Sequence, residues 1–412
     1  MFDAISLEGW RQFEKIVIAF HPRLTILTGG NGSGKTTILD ILSFHFGWPG
    51  RFVGTPIKDS SGKLRFIAAL KKFFVKSTEK ESNYQVFGRI SYNNMEVSDI
   101  STRNQVGSTY QLHIPNKQPI RGFHIPSHRA RYSYQNVDSI STSAISKQIA
   151  YNSYKAVKIG RSSGNVDRRQ ESYYLKQALI SLATFGYGNE IVNRDENLIK
   201  IFEGFQKILK QVLPKSLGFE GFIIRMPEVL LKTKSGEFAL DAVSGGISSI
   251  IDLAWQIHMY DESDEVPFTV TFDEPENHLH PEMQKTILPN FLKAFPKAQF
   301  IVATHSPFII GSVPESQVYV LQYNKESKVE SIVLDSLDKT GTANEILRSV
   351  LGLESTKPYW VDNVLEKIIE KYSKKGITKD NLSQLKNDLS EIGLDKYISS
   401  SLEGLLEKNS QE

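Results

Sequence analysis

Cysteine is absent from this chain of 412 residues, which excludes a disulfide framework and any thiolate metal site. No uninterrupted apolar run approaches the ~18 residues of a membrane-spanning helix, so no membrane association is expected. The N-terminus lacks a basic stretch followed by an apolar core, so no secretory signal is expected and the compartment expected is the cytoplasm. An excess of charge of one sign is missing too. The chain carries 49 Lys and Arg against 46 Asp and Glu, a net charge of +3, too small to identify a nucleic-acid binder. Sustained heptads are lacking, which excludes an extended coiled-coil arm. The remaining composition, 40% hydrophobic and 23% charged residues, suits a globular protein with a sizeable core. Its length exceeds that of a usual single domain.

The most informative stretch that is present runs from Phe268 to Pro281. An apolar strand, Phe268 to Phe272, leads directly into the adjacent carboxylates Asp273 and Glu274 and then into a proline-punctuated turn. A carboxylate at a strand end can hold hydrated Mg²⁺, and its neighbour can polarise the water that attacks a γ-phosphate. A strand ending in Asp-Glu is common, so the weight comes from the other segments.

Gly29, Gly30, Asn31, Gly32, Ser33, Gly34, Lys35 and Thr36 satisfy the phosphate-loop pattern in full, with Thr37 opening the following helical run. The strand-like Leu24 to Thr28 precedes it, as the motif requires. The glycines let backbone N–H groups turn inward around phosphates, and the new helix points its positive end at the same anion. Lys35 is expected to reach the β- and γ-phosphates of ATP, and Thr36 to offer its hydroxyl to Mg²⁺. Ser244, Gly245 and Gly246 open a predicted amphipathic helix and again present N–H donors; taken alone, they read as a helix cap. His305 ends the strand-like Phe300 to Ala303, one predicted helix (Glu282 to Phe295) beyond the Asp-Glu strand. Most strand-end histidines are structural, but this one falls where it could reach the γ-phosphate.

The ordered set resembles an ABC-type ATPase head of the SMC, RecF and OLD branch. The wording Asp273-Glu274-Pro275-Glu276-Asn277-His278-Leu279-His280-Pro281, with Ala303-Thr304-His305-Ser306-Pro307 after it, is most similar to stand-alone bacterial ATPases of the OLD branch. These include heads from antiphage systems such as Septu and PARIS. The resemblance implies an α/β fold, a mixed sheet flanked by helices, with a partly helical insertion and a C-terminal helical tail. It divides the chain into 1–137 with the Walker A loop, an insertion over 138–220, a second ATPase part over 221–355, and a tail over 356–412. It makes Asp273 and Glu274 the Walker B pair, Ser244 to Gly246 the signature, Glu276 to Pro281 the D-loop and His305 the switch histidine. Catalysis would rest on Glu274, His305 and Lys35, and the metal on Thr36 and Asp273. ATP and Mg²⁺ are the implied ligands. Heads of this kind pair around two ATP molecules, so Ser244 would act on the partner's nucleotide. The signature departs from the transporter form in ending at Ile247, Gln135 is the candidate for the Q-loop, and the long interval from Thr36 to Ser244 implies the insertion.

Arg121, His124, His128, Arg129 and Arg131, with Arg161, Arg168 and Arg169 further on, form basic clusters interleaved by Tyr132, Tyr134, Tyr151 and Tyr154. A solvated basic loop or internal salt bridges is the favoured reading, contact with nucleic acid is the alternative, and part of the first cluster could equally face nucleotide. His278 and His280 are expected to be packing and dimer-contact residues of the D-loop and not to bind metal. Residues 138–169 read as an irregular exposed insertion, followed by helices from Glu171 to Leu182 and from Glu196 to Leu213. In the tail, Val361, Val364, Leu365, Ile368, Ile369 and Tyr372 recur at helical spacing, and a second helix carries Leu382, Leu385, Leu389 and Ile392 up to Gly393. This pair is expected to pack on its own core, with docking to a partner as the alternative.

No Toprim-type acidic constellation follows the ATPase motifs, so any nuclease of the system is expected on a separate polypeptide. The leading expectation is a self-pairing sensor or gating ATPase acting with that effector. A repair or recombination ATPase gripping duplex DNA is second. A transporter subunit is disfavoured by the Asn-His-Leu-His-Pro turn and by the insertion.

Overall fold

The computed structural model describes residues 1–69, 84–129, 132–141, 145–162, 169–261, 266–335, 339, 341–374 and 378–409. They divide into two compact units, Met1–Ile346 and Leu347–Glu412.

The first unit is built on a ten-stranded mixed sheet. Its strands in chain order are β1 (Phe2–Trp10), β2 (Phe13–Ala19), β3 (Leu24–Gly29), β4 (Tyr84–Tyr92) and β5 (Val97–Arg103), then β6 (Gly122–Ile125), β7 (Phe268–Asp273), β8 (Ala298–Ala303), β9 (Gln317–Tyr323) and β10 (Val329–Val333). In space they follow the order β6-β7-β8-β3-β9-β10-β2-β1-β4-β5. The five strands from β6 to β9 run parallel, whereas β2, β1, β4 and β5 form an antiparallel meander. Every residue of β3, β7 and β8 is buried, as expected for parallel strands covered on both faces.

The sheet is flanked by α1 (Lys35–Ser43), α2 (Lys147–Ser162), α3 (Glu171–Tyr187), α4 (Glu196–Val212), α5 (Gly245–Tyr260), α6 (Pro281–Ala294) and the short α7 (Pro307–Ile310). Helix α1 leaves β3 through Gly34, whose φ of 95° is left-handed. A Cβ there would lie 2.4 Å from the Phe13 ring, so glycine is needed for both backbone angle and space. Because β7, β8 and β3 are adjacent and parallel, the segments that follow them emerge side by side at one edge. Asp273 pairs with Ala303 and Ala303 with Leu27. That is where open α/β sheets hold ligands.

Three expectations need correction. Residues 138–169 are not irregular throughout, since α2 spans Lys147–Ser162. Its Ala150, Tyr151, Tyr154 and Val157 are buried at helical spacing, a stripe hidden in the sequence by the surrounding Ser, Asn and Lys. Helix α5 is not amphipathic: residues from Gly246 to Met259 are buried, with Ile247 the exception, because α2 and α4 both pack on it. Among the described residues the tail contains three helices and not two, α8 (Tyr359–Ser373), α9 (Lys379–Glu391) and α10 (Ile398–Asn409).

The second unit has its own apolar core of Val361, Leu365, Tyr372, Leu385, Leu389, Leu394 and Leu405. Leu389 is fully buried there. Leu389→Ala is expected to lower the unfolding free energy of this unit by roughly 2–5 kcal/mol through lost burial and the cavity left behind, read from denaturant unfolding of the full chain. No helix among the described residues is long and apolar enough to cross a membrane.

Candidate nucleotide site

The loop between β3 and α1 presents Gly30, Asn31 and Gly32 to solvent and buries Ser33 and Lys35. Lys35 Nζ donates to the carbonyls of Gly29 and Gly30, both at 2.9 Å. Burial draws this ammonium down to about 8, against the pull of Asp273, Glu274 and Glu276. The Ser33 hydroxyl is buried and has no hydrogen-bond partner among the described residues. A buried hydroxyl without a partner, a lysine bonded back onto its own loop and an open rim of N–H groups fit a phosphate chain.

Opposite the loop, Thr36 Oγ1 donates to Asp273 Oδ2 at 3.0 Å. Burial raises the Asp273 carboxyl to about 6, with the Thr36 bond opposing the shift. One exposed hydroxyl beside one carboxylate is an oxygen donor set suited to Mg²⁺, which keeps several waters and takes one or two protein ligands. Asp40, one turn further along α1, was not anticipated. Burial and the neighbouring Asp273 charge raise it to about 7. Thr37 is half-buried at the start of α1.

Glu274 sits immediately past the end of β7 with φ of 48°, a left-handed conformation uncommon for a residue with a side chain. Its N–H donates to Ala303 O at 2.8 Å. One carboxylate oxygen, Oε2, accepts from Asn277 Nδ2 at 2.8 Å, and the other, Oε1, faces His305 Nε2 at 3.9 Å. Burial, then the Lys35 charge, lowers the His305 pKa. Glu276 ties this turn to the end of β8, where its Oε1 accepts from Thr304 Oγ1 at 2.6 Å and from the His305 N–H at 2.9 Å. Lys35, Thr36, Asp273, Glu274 and His305 are therefore gathered at one edge of the sheet.

Ser244 caps α5, its hydroxyl accepting from the Ile247 N–H, and it is exposed while Gly245 is half-buried and Gly246 buried. A Cβ on Gly246 would lie 2.9 Å from His278 O, so the turn that opens α5 touches the turn after β7 within one chain. His280 caps α6, its Nδ1 accepting from the Glu282 N–H.

Gln135, the Q-loop candidate, bonds to the start of α3. Its side-chain oxygen accepts from the Gln170 N–H and its carbonyl from Lys176. The basic cluster divides. His124 is buried, Nδ1 against Thr271 Oγ1, Arg129 is buried, Arg169 pairs with Asp138 at 3.1 Å, and Arg121 and His128 are exposed. Arg131 and Arg168 lie outside the described residues, as does the side chain of Arg161. Tyr151 and Tyr154 are buried, so they are not a stacking platform for bases. Glu276 and Asn277 fell inside the turn already singled out, but nothing in the sequence marked their partners.

A family model described as "AAA domain, putative AbiEii toxin, Type IV TA system" matches residues 24–311, and one described as "P-loop containing region of AAA domain" matches residues 2–45. The chain is 20% identical over 394 residues to the Septu protein PtuA of Bacillus thuringiensis, covering 88% of this chain and 87% of that one. It is 22% identical over 401 residues to the "Retron Ec83 probable ATPase" of Escherichia coli, covering 79% and 72%. Among solved structures it is similar to the SMC head domain from Thermotoga maritima, with 16% identity and a TM-score of 0.41 over 81% of this chain and 99% of that one.

Proposed function

The chain belongs to the family "AAA domain, putative AbiEii toxin, Type IV TA system" and is an ATPase, and on that premise we propose that it hydrolyses ATP in paired heads to gate a separate effector of an antiphage defence system. The observation that carries the reading is the Thr36 Oγ1–Asp273 Oδ2 contact of 3.0 Å, with Glu274 at the next position facing His305 Nε2 at 3.9 Å.

In this mechanism the N–H groups of Gly30 to Thr36 and the amine of Lys35 hold the β- and γ-phosphates. Thr36 and Asp273 would hold Mg²⁺, which when bound would neutralise charge on the phosphate oxygens. Glu274 orients the attacking water through its carboxylate and takes its proton as the oxygen bonds to the γ-phosphorus. The bond to ADP breaks in line. His305 steadies the γ-phosphate, and Lys35 stabilises the negative charge that develops during transfer. Ser244, exposed at the N-terminus of α5, completes the nucleotide site of a second copy.

Similarity to a Septu protein and a retron ATPase supports the defence role. A separate effector, with a nuclease as the leading class, is the partner proposed; among the described residues the second unit is a small helical bundle. Duplex DNA is the weaker partner, since His124, Arg129, Tyr151 and Tyr154 are buried. Steady-state ATP turnover of the purified chain, with and without duplex DNA at low salt, tests the reading. Turnover indifferent to DNA is expected. Marked stimulation that fades with rising salt would move the protein to the DNA-acting class, because phosphate contacts release counterions.

A further inference from the structure

One cation that the chemistry above does not use lies beneath it. Arg129, four residues past the end of β6, is only 5% exposed. A guanidinium so placed is costly unless its donors are met. Its Nη2 donates to Asp273 O at 3.1 Å and to Glu274 O at 2.7 Å. Its Nη1 donates to Ser249 Oγ at 3.2 Å, with Asn277 O at 3.4 Å, so both terminal nitrogens are met, while Nε is buried without a partner among the described residues. The guanidinium carbon stands 5.1 Å from the centre of the Phe272 ring. Burial lowers its pKa to about 10, opposed most by Asp252 on α5, so it stays charged at neutral pH.

The two carbonyls on Nη2 belong to the two peptide planes that flank the Glu274 Cα. Holding both planes fixes the direction in which the Glu274 side chain leaves the backbone, at the residue whose φ is 48°. The same segment also reaches the far end of that side chain. Asn277 Nδ2 donates to Ser127 O at 3.0 Å and to Glu274 Oε2 at 2.8 Å. Ser249, the remaining arm, lies on the helix that Ser244 opens. Turn, carboxylate and signature helix thus meet on one three-residue segment.

We propose that Ser127 to Arg129 form a positioning strap that aims Glu274 for hydrolysis, Arg129 through the backbone and Asn277 through the carboxylate, and that links this aim to the signature helix. The proposal rests on the reading of Glu274 as the group that orients the attacking water. Arg129 and Asn277 are positioning residues: they bind neither nucleotide nor metal. A lysine at 129 keeps the charge but lacks the planar fork that spans all four acceptors.

The test uses the full chain with Arg129→Lys, Asn277→Ala, Glu274→Gln and the two double variants. ATP affinity is read by titration with a fluorescent ATP analogue, and chemistry by single-turnover hydrolysis. Arg129→Lys and Asn277→Ala are each expected to slow the chemical step on the order of 10- to 100-fold, as a small misplacement of a reacting group does, with affinity held within about twofold. In the Glu274→Gln background neither substitution should slow it further, because residues acting through one group are not additive. Wild-type rates in both single variants, losses that multiply in the double variants, or affinity falling in step with rate would overturn the strap. If Arg129→Lys fails to fold, Asn277→Ala alone decides by the same criteria. A Glu274→Gln variant that hydrolyses at the wild-type rate would overturn the functional reading itself, and the strap with it. An inactive Glu274→Gln beside fully active strap variants would overturn only the strap.

Discussion

Glu274→Gln is expected to lower ATP turnover by roughly 10²–10⁴-fold, the usual contribution of a positioned general base, while nucleotide binding survives. The substitution keeps size and the Asn277 bond of 2.8 Å but removes the negative charge that polarises water. Lys35, Thr36 and Asp273 remain in place, so binding should persist and paired heads should accumulate with ATP. Turnover is read by phosphate release, and pairing by light scattering with and without ATP. Wild-type turnover would remove Glu274 from its role.

Lys35→Ala is expected to weaken ATP binding by roughly 30- to 1000-fold. A charge-assisted contact to phosphate contributes about 2–4 kcal/mol, and each 1.4 kcal/mol is tenfold. Lys35 Nζ is already within the loop, 2.9 Å from the carbonyls of Gly29 and Gly30, so reaching a phosphate requires exchanging partners and no rearrangement of the fold. Three carboxylates, Asp273, Glu274 and Glu276, favour its charged form. With the lysine gone they would face the phosphates uncompensated, which adds to the loss. Titration with a fluorescent ATP analogue checks it, and unchanged affinity would remove the phosphate-loop assignment. The two variants separate binding from chemistry: one loses affinity, the other loses rate.

Much of the site is local in sequence and was legible for that reason. Gly29 to Thr36 form a loop whose backbone angles are set by its own residues, and the strand before and helix after follow from short-range periodicity. The same holds for β7 running into Asp273 and Glu274, and for Glu196–Val212, whose cap Asp195 and apolar stripe stand in the sequence. Helix α2 was missed because its buried face, Ala150, Tyr151, Tyr154 and Val157, is short and lies among polar neighbours. Helix α5 was misread because how many of its faces are covered depends on what packs there, and its neighbours α2 and α4 lie far off along the chain.

The sequence by itself determined the chemistry on offer: a phosphate loop, a pair of carboxylates at a strand end, and a histidine one strand later. It also determined that thiolate chemistry is missing, since the chain has no cysteine. Only the tertiary structure decided how these groups meet. Arg129 lies 144 positions from Asp273 and bonds its carbonyl, Ser127 lies 150 positions from Asn277 and bonds its amide, and Thr36 lies 237 positions from Asp273 and bonds its carboxylate. The physical reason is that propensity and periodicity act over a few residues. These contacts follow from the order β6-β7-β8-β3, which is chosen by the burial of whole strands and helices against one another.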